Sequence, residues 1–517
     1  MNILAIRSPG VINNLTATSS LGLPIGLAYI VGAIRDLGDI QVIDPFSIGE
    51  KVPEISTYNK DVSIIGLTPD QILYYVKKAP EICLISSMFS MDWPITRTLI
   101  NLIKTKYPKC LIIGGGEHFS AVTEYSFRDS SIDIIVTGEG EETIRELILC
   151  IKDGNKLPIN ISGTVVRNQN NKDELIYNEP RKRIRNLDSI QKPAWDLFNV
   201  KPFLDNGVGS TSGNRRNFRP FPIIMTRGCP YECTFCSNPD MWGRKWSTRP
   251  PSEVINEMKE YINEYDATHF YSCDLTAIIK ESWIIEFCNL LIKENLNISW
   301  GMPTGTRSEV LNLNVLKLLK ESGCDDIDYA PESGSNFVLK SIKKKISKKA
   351  MLKSMKECNK LNMKTKANII LGFPEEKRRH IFETYLFAIR MALAGIEDLA
   401  ATPLAAYPGS KIFHDLYSKG EIKYSDDYFF GLSSQGSIDL SASYSKISTL
   451  ELYIYKMGLF GVFYFVSFLL RPKRLWNLVN DLYHKREGTR LSAGILGILK
   501  NRNIRKRKKE FQVSTHF

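Results

Sequence analysis

Three cysteines lie close together in the segment Met225–Asn238, which reads MTRGCPYECTFCSN. Cys229, Cys233 and Cys236 have the spacing C-x3-C-x2-C, and no fourth cysteine follows nearby. A structural zinc site needs four ligands, commonly as two C-x-x-C pairs, but the other cysteines of this chain are scattered singly. A closed [4Fe–4S] electron carrier also needs four thiolates. Three thiolates on four irons would leave one iron open to bind a substrate or a cofactor.

This segment resembles the cysteine motif of the radical S-adenosylmethionine (SAM) superfamily, since Phe235 precedes the last cysteine and a strand ending in TRGC precedes the first. The resemblance implies that Cys229, Cys233 and Cys236 hold a [4Fe–4S] cluster whose open iron binds the amino and carboxylate groups of SAM. One electron from the cluster then cleaves SAM to methionine and a 5′-deoxyadenosyl radical. The chain is therefore expected to be an enzyme, although the residues that touch its substrate are unknown.

Later segments also resemble this family, in the same order along the chain. They are HFYSCD, PTGTR, APESGS, LGFPEE and YPGS. The resemblance implies SAM contacts for Phe235, Asp274, Arg307, Glu332, Ser333, Gly334, Gly372 and Pro374.

These residues need a scaffold, and the chain from residue 216 to residue 410 predicts one. Six strand-like runs alternate there with amphipathic helical patterns, beginning with FPIIMTR and ending with LAATPLAAYP. Six β-α units indicate a partial (β/α)6 barrel of the TIM type, whose active site lies at the carboxyl ends of the strands. The cysteine segment directly follows the first of these strands.

The first 150 residues also alternate short apolar runs with amphipathic helices, which indicates an α/β, doubly wound, Rossmann-like sheet. Ligands of such sheets bind at the carboxyl ends of the strands, where glycines let a ligand approach the backbone. Tight turns explain these glycines equally well. The candidate positions at these strand ends are Ser86, Ser87, Gly114, Gly115, Gly116, His118, Gly138, Glu139 and Gly140.

This first half resembles the cobalamin-binding domain that precedes the barrel in one large branch of radical SAM proteins. The resemblance rests on LGLPIGLAYIVGAIRDLG, on the GGGEH run and on IVTGEGEETIREL, and it implies that the strand-end residues bind cobalamin. Cobalamin domains of another type carry D-x-H-x-x-G, whose histidine binds the cobalt. None of the six histidines of this chain stands in that context. The branch often lacks this ligand, so its absence does not exclude cobalamin.

Between and after these domains, the sequence predicts a connector over residues 151–215, a helical cap over 411–499 and a basic tail over 500–517. The run Met457–Leu470 is uncharged for fourteen residues, which favours a buried helix over a membrane span of about 20 residues. Lys500–Lys509 holds seven of the basic residues behind the net charge of +12. Such a run favours a solvated end, with contact to RNA or to an anionic membrane as alternatives. Because the apolar run and the basic run are adjacent, peripheral membrane contact through both is a further alternative.

The leading hypothesis is a cobalamin-dependent radical SAM methyltransferase that acts on an unactivated carbon. An oxidative cyclase of the same branch, similar to the anaerobic magnesium-protoporphyrin ester cyclase, is the first alternative. A non-catalytic iron–sulfur carrier or cobalamin-holding module is the second. The resemblance implies a small-molecule, natural-product or lipid-like substrate and an electron donor such as flavodoxin or ferredoxin, with no nucleic acid. We expect a cytoplasmic protein, because thiolates meant for a metal suit a reduced compartment and no signal segment is visible.

Overall fold

The computed structural model describes residues 1–13, 22–47, 55–58, 62–154, 160–168, 171, 174–207, 218–307, 309–433, 443–486, 488–489, 491–497 and 499. The basic tail predicted over 500–517 lies outside the described residues.

The strands, in chain order, are β1 (Asn2–Arg7), β2 (Gly10–Asn13), β3 (Asp39–Ile43), β4 (Ile55–Thr57), β5 (Val62–Ile65), β6 (Ile82–Ser86), β7 (Leu111–Gly115), β8 (Ile134–Val136), β9 (Thr164–Arg167), β10 (Leu175–Tyr177), β11 (Pro220–Ile223), β12 (Thr226–Arg227), β13 (Ser247–Thr248), β14 (His269–Ser272), β15 (Ser299–Thr306), β16 (Cys324–Glu332), β17 (Lys364–Leu371) and β18 (Asp398–Pro403).

The helices are α1 (Ile25–Ile34), α2 (Pro69–Tyr74), α3 (Trp93–Lys106), α4 (Glu117–Ala121), α5 (Thr123–Asp129), α6 (Glu141–Lys152), α7 (Lys201–Asp205), α8 (Asn238–Trp242), α9 (Pro251–Tyr265), α10 (Glu281–Glu294), α11 (Leu313–Glu321), α12 (Asn336–Ser341), α13 (Lys348–Lys360), α14 (Arg378–Ala394), α15 (Lys411–Ser418), α16 (Asp426–Gly431), α17 (Thr449–Leu470) and α18 (Pro472–Tyr483).

The first domain is built on a seven-stranded sheet in the order β10-β9-β8-β7-β6-β1-β3. Neighbours from β3 to β8 pair in parallel, whereas β9 and β10 join antiparallel. Numbered in chain order, the five parallel strands lie 2-1-3-4-5, which is the order of a doubly wound sheet. The predicted α/β fold is confirmed. The strand order reverses between β1 and β6, so a ligand is expected at the carboxyl ends of these strands.

Two parts of this half differ from the sequence prediction. A small antiparallel sheet, β2-β5-β4, was not predicted because its strands are only three or four residues long and are far apart in the chain. The polar connector predicted over 151–215 instead contributes β9 and β10 to the main sheet. It also buries Trp195 and Phe203 in the hydrophobic core between the two domains.

The second domain is a sheet of six parallel strands in sequential order, β11-β14-β15-β16-β17-β18. All six predicted strands are present. At least one helix follows each of the last five strands. The outward side chains of the strands, such as Ile327, Tyr329 and Ala367, are fully buried against the helices. This arrangement confirms the partial barrel, in which the strand ends all point to one rim.

The cap is helical in its described part, as predicted. α16 packs against the first domain, where Asp426 forms a bidentate pair with Arg97 of α3. α17 packs against α14 and β18 of the barrel. It has 22 residues rather than the uncharged fourteen, so by length and composition it is the one described helix that could cross a membrane.

Candidate functional site

The loop that carries the three cysteines begins with a tight backbone crossing. After β11 the chain forms a two-residue ribbon, β12, which pairs antiparallel with β13. Gly228 follows with a φ of +89°, and a Cβ there would lie 2.0 Å from the carbonyl oxygen of Lys245. Only glycine tolerates both the backbone conformation and the close approach. The loop is therefore held at a fixed distance from the ribbon just before Cys229.

Asp274, a predicted SAM contact, stabilises the start of the same loop. One carboxylate oxygen accepts hydrogen bonds from the backbone N–H groups of Met225 (2.9 Å) and Thr226 (2.6 Å). The other accepts from the hydroxyl of Ser272. The residue is only 1% exposed, and its burial raises the pKa of the carboxyl to about 6. Asp274 therefore positions the start of the cysteine loop, with both oxygens engaged within the chain.

The three thiols lie close enough to influence one another electrostatically, and each has a different local setting. The hydroxyl of Thr276 lies 3.2 Å from Cys229 Sγ, and the backbone N–H of Asn238 donates to Cys236. Cys233 lies close enough to Lys344 and Arg307 for both cations to favour its thiolate, although burial still raises the pKa of this thiol. Burial also raises the pKa of Cys236 to about 12. Metal binding must therefore displace protons from these thiols.

The arrangement suits a cluster better than a single ion. Within the described ranges, no group of three or more His, Cys, Asp and Glu side chains is arranged to hold one metal ion. In a four-iron cluster each thiolate binds a different iron, so the thiolates stand farther apart than around one ion. Three thiols on one loop, with cations beside them, fit this group.

Two cations and one carboxylate surround the cysteine loop. The guanidinium of Arg307 lies 3.2 Å from the centre of the Tyr231 ring and donates to the carbonyl oxygen of Lys345. Glu332 forms a buried ion pair with Lys344, with Nζ and Oε1 2.8 Å apart. The structure thus brings the predicted residues Arg307 and Glu332 to the cysteines.

Glu332 also has a φ of +62°, which is costly for a residue with a side chain. It ends β16 at a point where the register with β17 shifts. Strained backbone of this kind collects at ligand sites, since the surrounding structure must stabilise it. The conformation directs the carboxylate toward Lys344 on the loop after α12.

The other predicted SAM residues divide into two groups. Phe235 packs edge-on against Phe373, with ring centroids 5.9 Å apart, and Pro374 is half-buried beside it. Ser333 and Gly334 instead pack against α14, where the hydroxyl of Thr384 lies 3.2 Å from that of Ser333 and accepts from the Gly334 N–H.

Gly372 lies beneath α17, where a Cβ would lie 2.7 Å from a methyl carbon of Leu452. Its N–H donates to the carboxylate of Glu376, whose pKa burial raises to about 7. Gly372, for which the resemblance implies a SAM contact, thus lies where the cap helix packs closely on the barrel.

Sequence reasoning missed Lys344 and Asn238. Lys344 stands in a lysine-rich run that reads as a solvated surface, and only the fold turns it inward. Asn238 is 4% exposed, and neither atom of its side-chain amide has a hydrogen-bond partner among the described residues. A buried polar group without a partner costs free energy unless a ligand satisfies it. Its position two residues after Cys236 was the available signal.

At the rim of the first domain, the predicted glycines play different roles. A Cβ at Gly114 or Gly140 would meet core side chains at 2.4 Å and 2.8 Å, and one at Gly116 would meet the Ser87 carbonyl oxygen at 2.5 Å. In contrast, a Cβ at Gly115 or Gly138 would have no described atom within 4 Å. The first three glycines therefore serve packing, and the last two border open space.

Ser86 ends β6 and Ser87 follows it, at the switch point of this sheet. The Ser87 hydroxyl is fully buried and has no partner among the residues that the structure describes. An open glycine-lined space next to an unsatisfied hydroxyl fits a large polar ligand such as cobalamin.

His118 lies inside the first domain rather than at its rim. It is 1% exposed and stacks on Trp93, with ring centroids 4.7 Å apart. Its Nδ1 lies 3.0 Å from the hydroxyl of Ser90, and its Nε2 lies 3.3 Å from that of Ser126. The structure therefore places this candidate cobalamin-binding residue in the core, with both ring nitrogens close to hydroxyl groups. Burial lowers its pKa to about 3.

This burial predicts an acid sensitivity. The unfolded chain binds a proton at His118 below a pH of about 6.5, whereas the folded chain does not until about pH 3, so stability falls as the pH falls through this window. Between pH 7 and pH 5 the loss is about 2 kcal/mol. We expect His118→Phe to remove this loss in urea unfolding.

Nearby Asp92 titrates in the opposite sense, because burial raises its pKa to about 7. The difference between wild type and His118→Phe therefore isolates the histidine. His484→Phe, at an exposed position, is the matched control. Equal acid sensitivity in wild type and His118→Phe would show that His118 is not buried as described.

A buried ion network joins the two domains directly before the first cysteine. Arg227, 7% exposed, lies 2.5 Å from a carboxylate oxygen of Glu141 and 3.3 Å from one of Glu139. Glu139 also accepts a hydrogen bond from the backbone N–H of Ile184. The acidic residues of the GEGE segment therefore bind the cysteine loop, which differs from the predicted role of Glu139 at cobalamin.

A second contact lies between α4, which follows the Gly114–Gly116 run, and α8, which follows Cys236. The indole N–H of Trp242 donates to Glu117 over 3.2 Å. A Cβ on Gly409 would lie 3.2 Å from Ala121 and 3.4 Å from Ser237. The helix that follows the glycine run of the first domain and the helix that follows the cysteine loop of the barrel are therefore in direct contact.

Family models match both halves of the chain. Residues 223–388 match the radical SAM superfamily, and residues 14–148 match the B12 binding domain. The chain is a radical SAM protein with an N-terminal B12-binding domain. The predicted family, the [4Fe–4S] cluster, SAM and cobalamin follow from these two domains.

Two relatives of this radical SAM protein are named for different reactions, one as a methyltransferase and one as a cyclase. An uncharacterized methyltransferase of Pyrococcus horikoshii is 28% identical over 80% of this chain and 82% of the relative. The anaerobic magnesium-protoporphyrin IX monomethyl ester cyclase of Cereibacter sphaeroides is 26% identical over 77% of this chain and 61% of the relative.

A solved structure of OxsB, a cobalamin-dependent SAM radical enzyme, has the same fold. It superposes with a TM-score of 0.63 at 15% identity, and the match covers 99% of this chain and 80% of OxsB. The likeness extends over both domains and the cap.

Proposed function

We propose that this protein is a cobalamin-dependent radical SAM methyltransferase that acts on an unactivated carbon of a small-molecule substrate. The observation that carries the proposal is the contact between α4 of the first domain and α8 of the barrel, which brings the glycine rim next to the cysteine loop. A cofactor at the glycine rim and SAM at the cysteine loop would thus lie on the two sides of one space. Catalysis between them depends on orientation and on exclusion of water.

Residues of the barrel hold and orient SAM in this proposal. When bound, the cluster supplies the electron for cleavage of SAM, and cobalamin supplies the methyl group. Lys344 fixes the carboxylate of Glu332, which lies beside Cys233 and can accept a hydrogen bond from the ammonium or ribose of SAM. Arg307 provides a fixed positive charge for the carboxylate of SAM, and the unpartnered amide of Asn238 provides a polar contact.

The rim of the first domain holds cobalamin through Ser86, Ser87, Gly115 and Gly138. We expect Gly115→Leu to fill the open space and to weaken corrinoid binding at least about tenfold, which is about 1.4 kcal/mol. Binding is measured by visible absorption after equilibrium dialysis with hydroxocobalamin. Gly461→Leu, at an exposed glycine of the cap helix α17 that also has open space around it, is the control. Unchanged affinity in Gly115→Leu would move the corrinoid away from this rim.

The two fates of SAM test the proposed reaction. Methyl transfer leaves S-adenosylhomocysteine, whereas reductive cleavage leaves methionine and 5′-deoxyadenosine. We expect the reduced, corrinoid-loaded protein to form both sets of products, and the corrinoid-free protein to form only the second. If S-adenosylhomocysteine never appears while 5′-deoxyadenosine does, the methyltransferase proposal is wrong, and the cyclase-like alternative gains support.

The proposed reaction also requires an electron donor and a reducing compartment. A small electron-transfer protein such as flavodoxin or ferredoxin is the expected reductant. A reduced, cytoplasmic setting suits the chain, because all ten cysteines are free thiols.

A further inference from the structure

The outer face of the cap is apolar although it is exposed. α17 buries Leu452, Leu459 and Phe463 against the barrel. The residues on its opposite side are also apolar, and Ile454, Phe465 and Leu469 are 58%, 67% and 71% exposed. A surface helix normally carries polar residues on the side away from the core. Apart from Glu451 and Lys456 this helix is uncharged, and only one side of it is covered.

The next helix also has an exposed apolar side. Leu478 is the only buried residue of α18. Its exposed residues include Leu475, Trp476, Val479 and Tyr483, at a spacing that puts them on one side, with Trp476 72% and Tyr483 83% exposed. Large exposed apolar surfaces mark sites that contact a partner or a membrane. Here Trp and Tyr stand beside exposed Lys473, as on helices that lie in a membrane interface.

The charge of the following sequence indicates the kind of partner. Residues 491–499 are uncharged, and Lys500–Lys509 then brings seven basic residues and no acid. An apolar face followed by a polybasic segment combines the two signals that hold peripheral proteins on anionic bilayers. A second copy of this chain would carry the same positive charge and would repel it.

We propose that α17 and α18 form a surface that binds an anionic membrane, and that the basic charge of the sequence Lys500–Lys509 adds electrostatic attraction to it. α17 lies along the bilayer rather than across it, because its inner side is fixed to the barrel: Tyr464 donates to Asp398, and Tyr385 donates to the carbonyl oxygen of Tyr455. The exposed side of α17 faces away from the barrel. This membrane proposal therefore does not depend on the proposed reaction.

Flotation of the full chain with vesicles tests this proposal. We expect binding to vesicles of phosphatidylcholine with about one third phosphatidylglycerol, and at least about tenfold weaker binding to phosphatidylcholine alone. Trp476→Glu with Val479→Glu should weaken binding to the anionic vesicles at least about tenfold. Neutralising Lys506, Arg507, Lys508 and Lys509 with glutamine should do the same, and added salt should reproduce that loss.

Asn477→Glu with His484→Glu adds the same two charges at exposed polar positions and should bind like the wild type. Absence of vesicle binding by the wild type, or binding that neither variant weakens, would overturn the proposal. Equal binding to both vesicles would overturn the anionic surface. A wild-type dimer that Trp476→Glu with Val479→Glu dissociates, without vesicle binding, would instead make the face an interface between copies.

Discussion

Cys233→Ala is expected to lose the cluster and, with it, the cleavage of SAM. Because each of the three thiolates holds a different iron, removing one leaves a second iron without a protein ligand. Iron and sulfide after anaerobic reconstitution should fall well below the about four per chain of the wild type. Formation of 5′-deoxyadenosine should fall by at least about 1000-fold, which is about 4 kcal/mol in the activation free energy.

Cys150→Ala is the matched control, since Cys150 is a partly exposed cysteine on α6 in the other domain. It should keep the cluster and the activity. If Cys233→Ala retained the broad visible absorption of the cluster and wild-type cleavage, the assignment of the three thiols as its ligands would be wrong. Thermal unfolding of both variants separates loss of the cluster from loss of the fold.

Arg227→Met is expected to destabilise the protein by about 3–5 kcal/mol, because it leaves Glu139 and Glu141 as buried carboxylates without their cation. The free energy of unfolding in urea measures this effect. Arg227 precedes Cys229 by two residues, so the variant should also hold its cluster less firmly. Loss of iron to a chelator should be faster than in the wild type.

Arg35→Met is the control for this network. Arg35 pairs with Asp196, but both side chains are more than half exposed, so the change should cost less than about 1 kcal/mol. Similar stability of Arg227→Met and Arg35→Met would contradict the buried network between the domains.

Most of the fold could be predicted from the sequence, because its strands and helices are long and periodic. The six barrel strands and the five parallel strands of the first domain all appear where the apolar runs indicate. The β2-β5-β4 sheet could not be predicted, since strands of three or four residues carry too little pattern. The pairing of β9 and β10 with the main sheet depends on tertiary contacts that a polar sequence does not reveal.

The site could be predicted in part. The cysteines, Arg307 and Glu332 were found because their types and order are specific, and the structure brings them together. Asp274 and Glu139 have the right types and lie near the site, but their oxygens are engaged by Thr226 and Arg227. His118 is near the glycine rim in sequence, yet its ring points into the core. Side-chain direction of this kind depends on packing, which no spacing rule provides.

The most direct test of the proposed radical SAM chemistry is turnover by the reconstituted protein. The full chain is loaded anaerobically with iron, sulfide and hydroxocobalamin, and SAM and a strong reductant are then added. We expect the wild type to retain about one corrinoid per chain. We also expect the wild type to form 5′-deoxyadenosine and Cys233→Ala to form none. A protein that holds an intact cluster and corrinoid but forms no 5′-deoxyadenosine would contradict it.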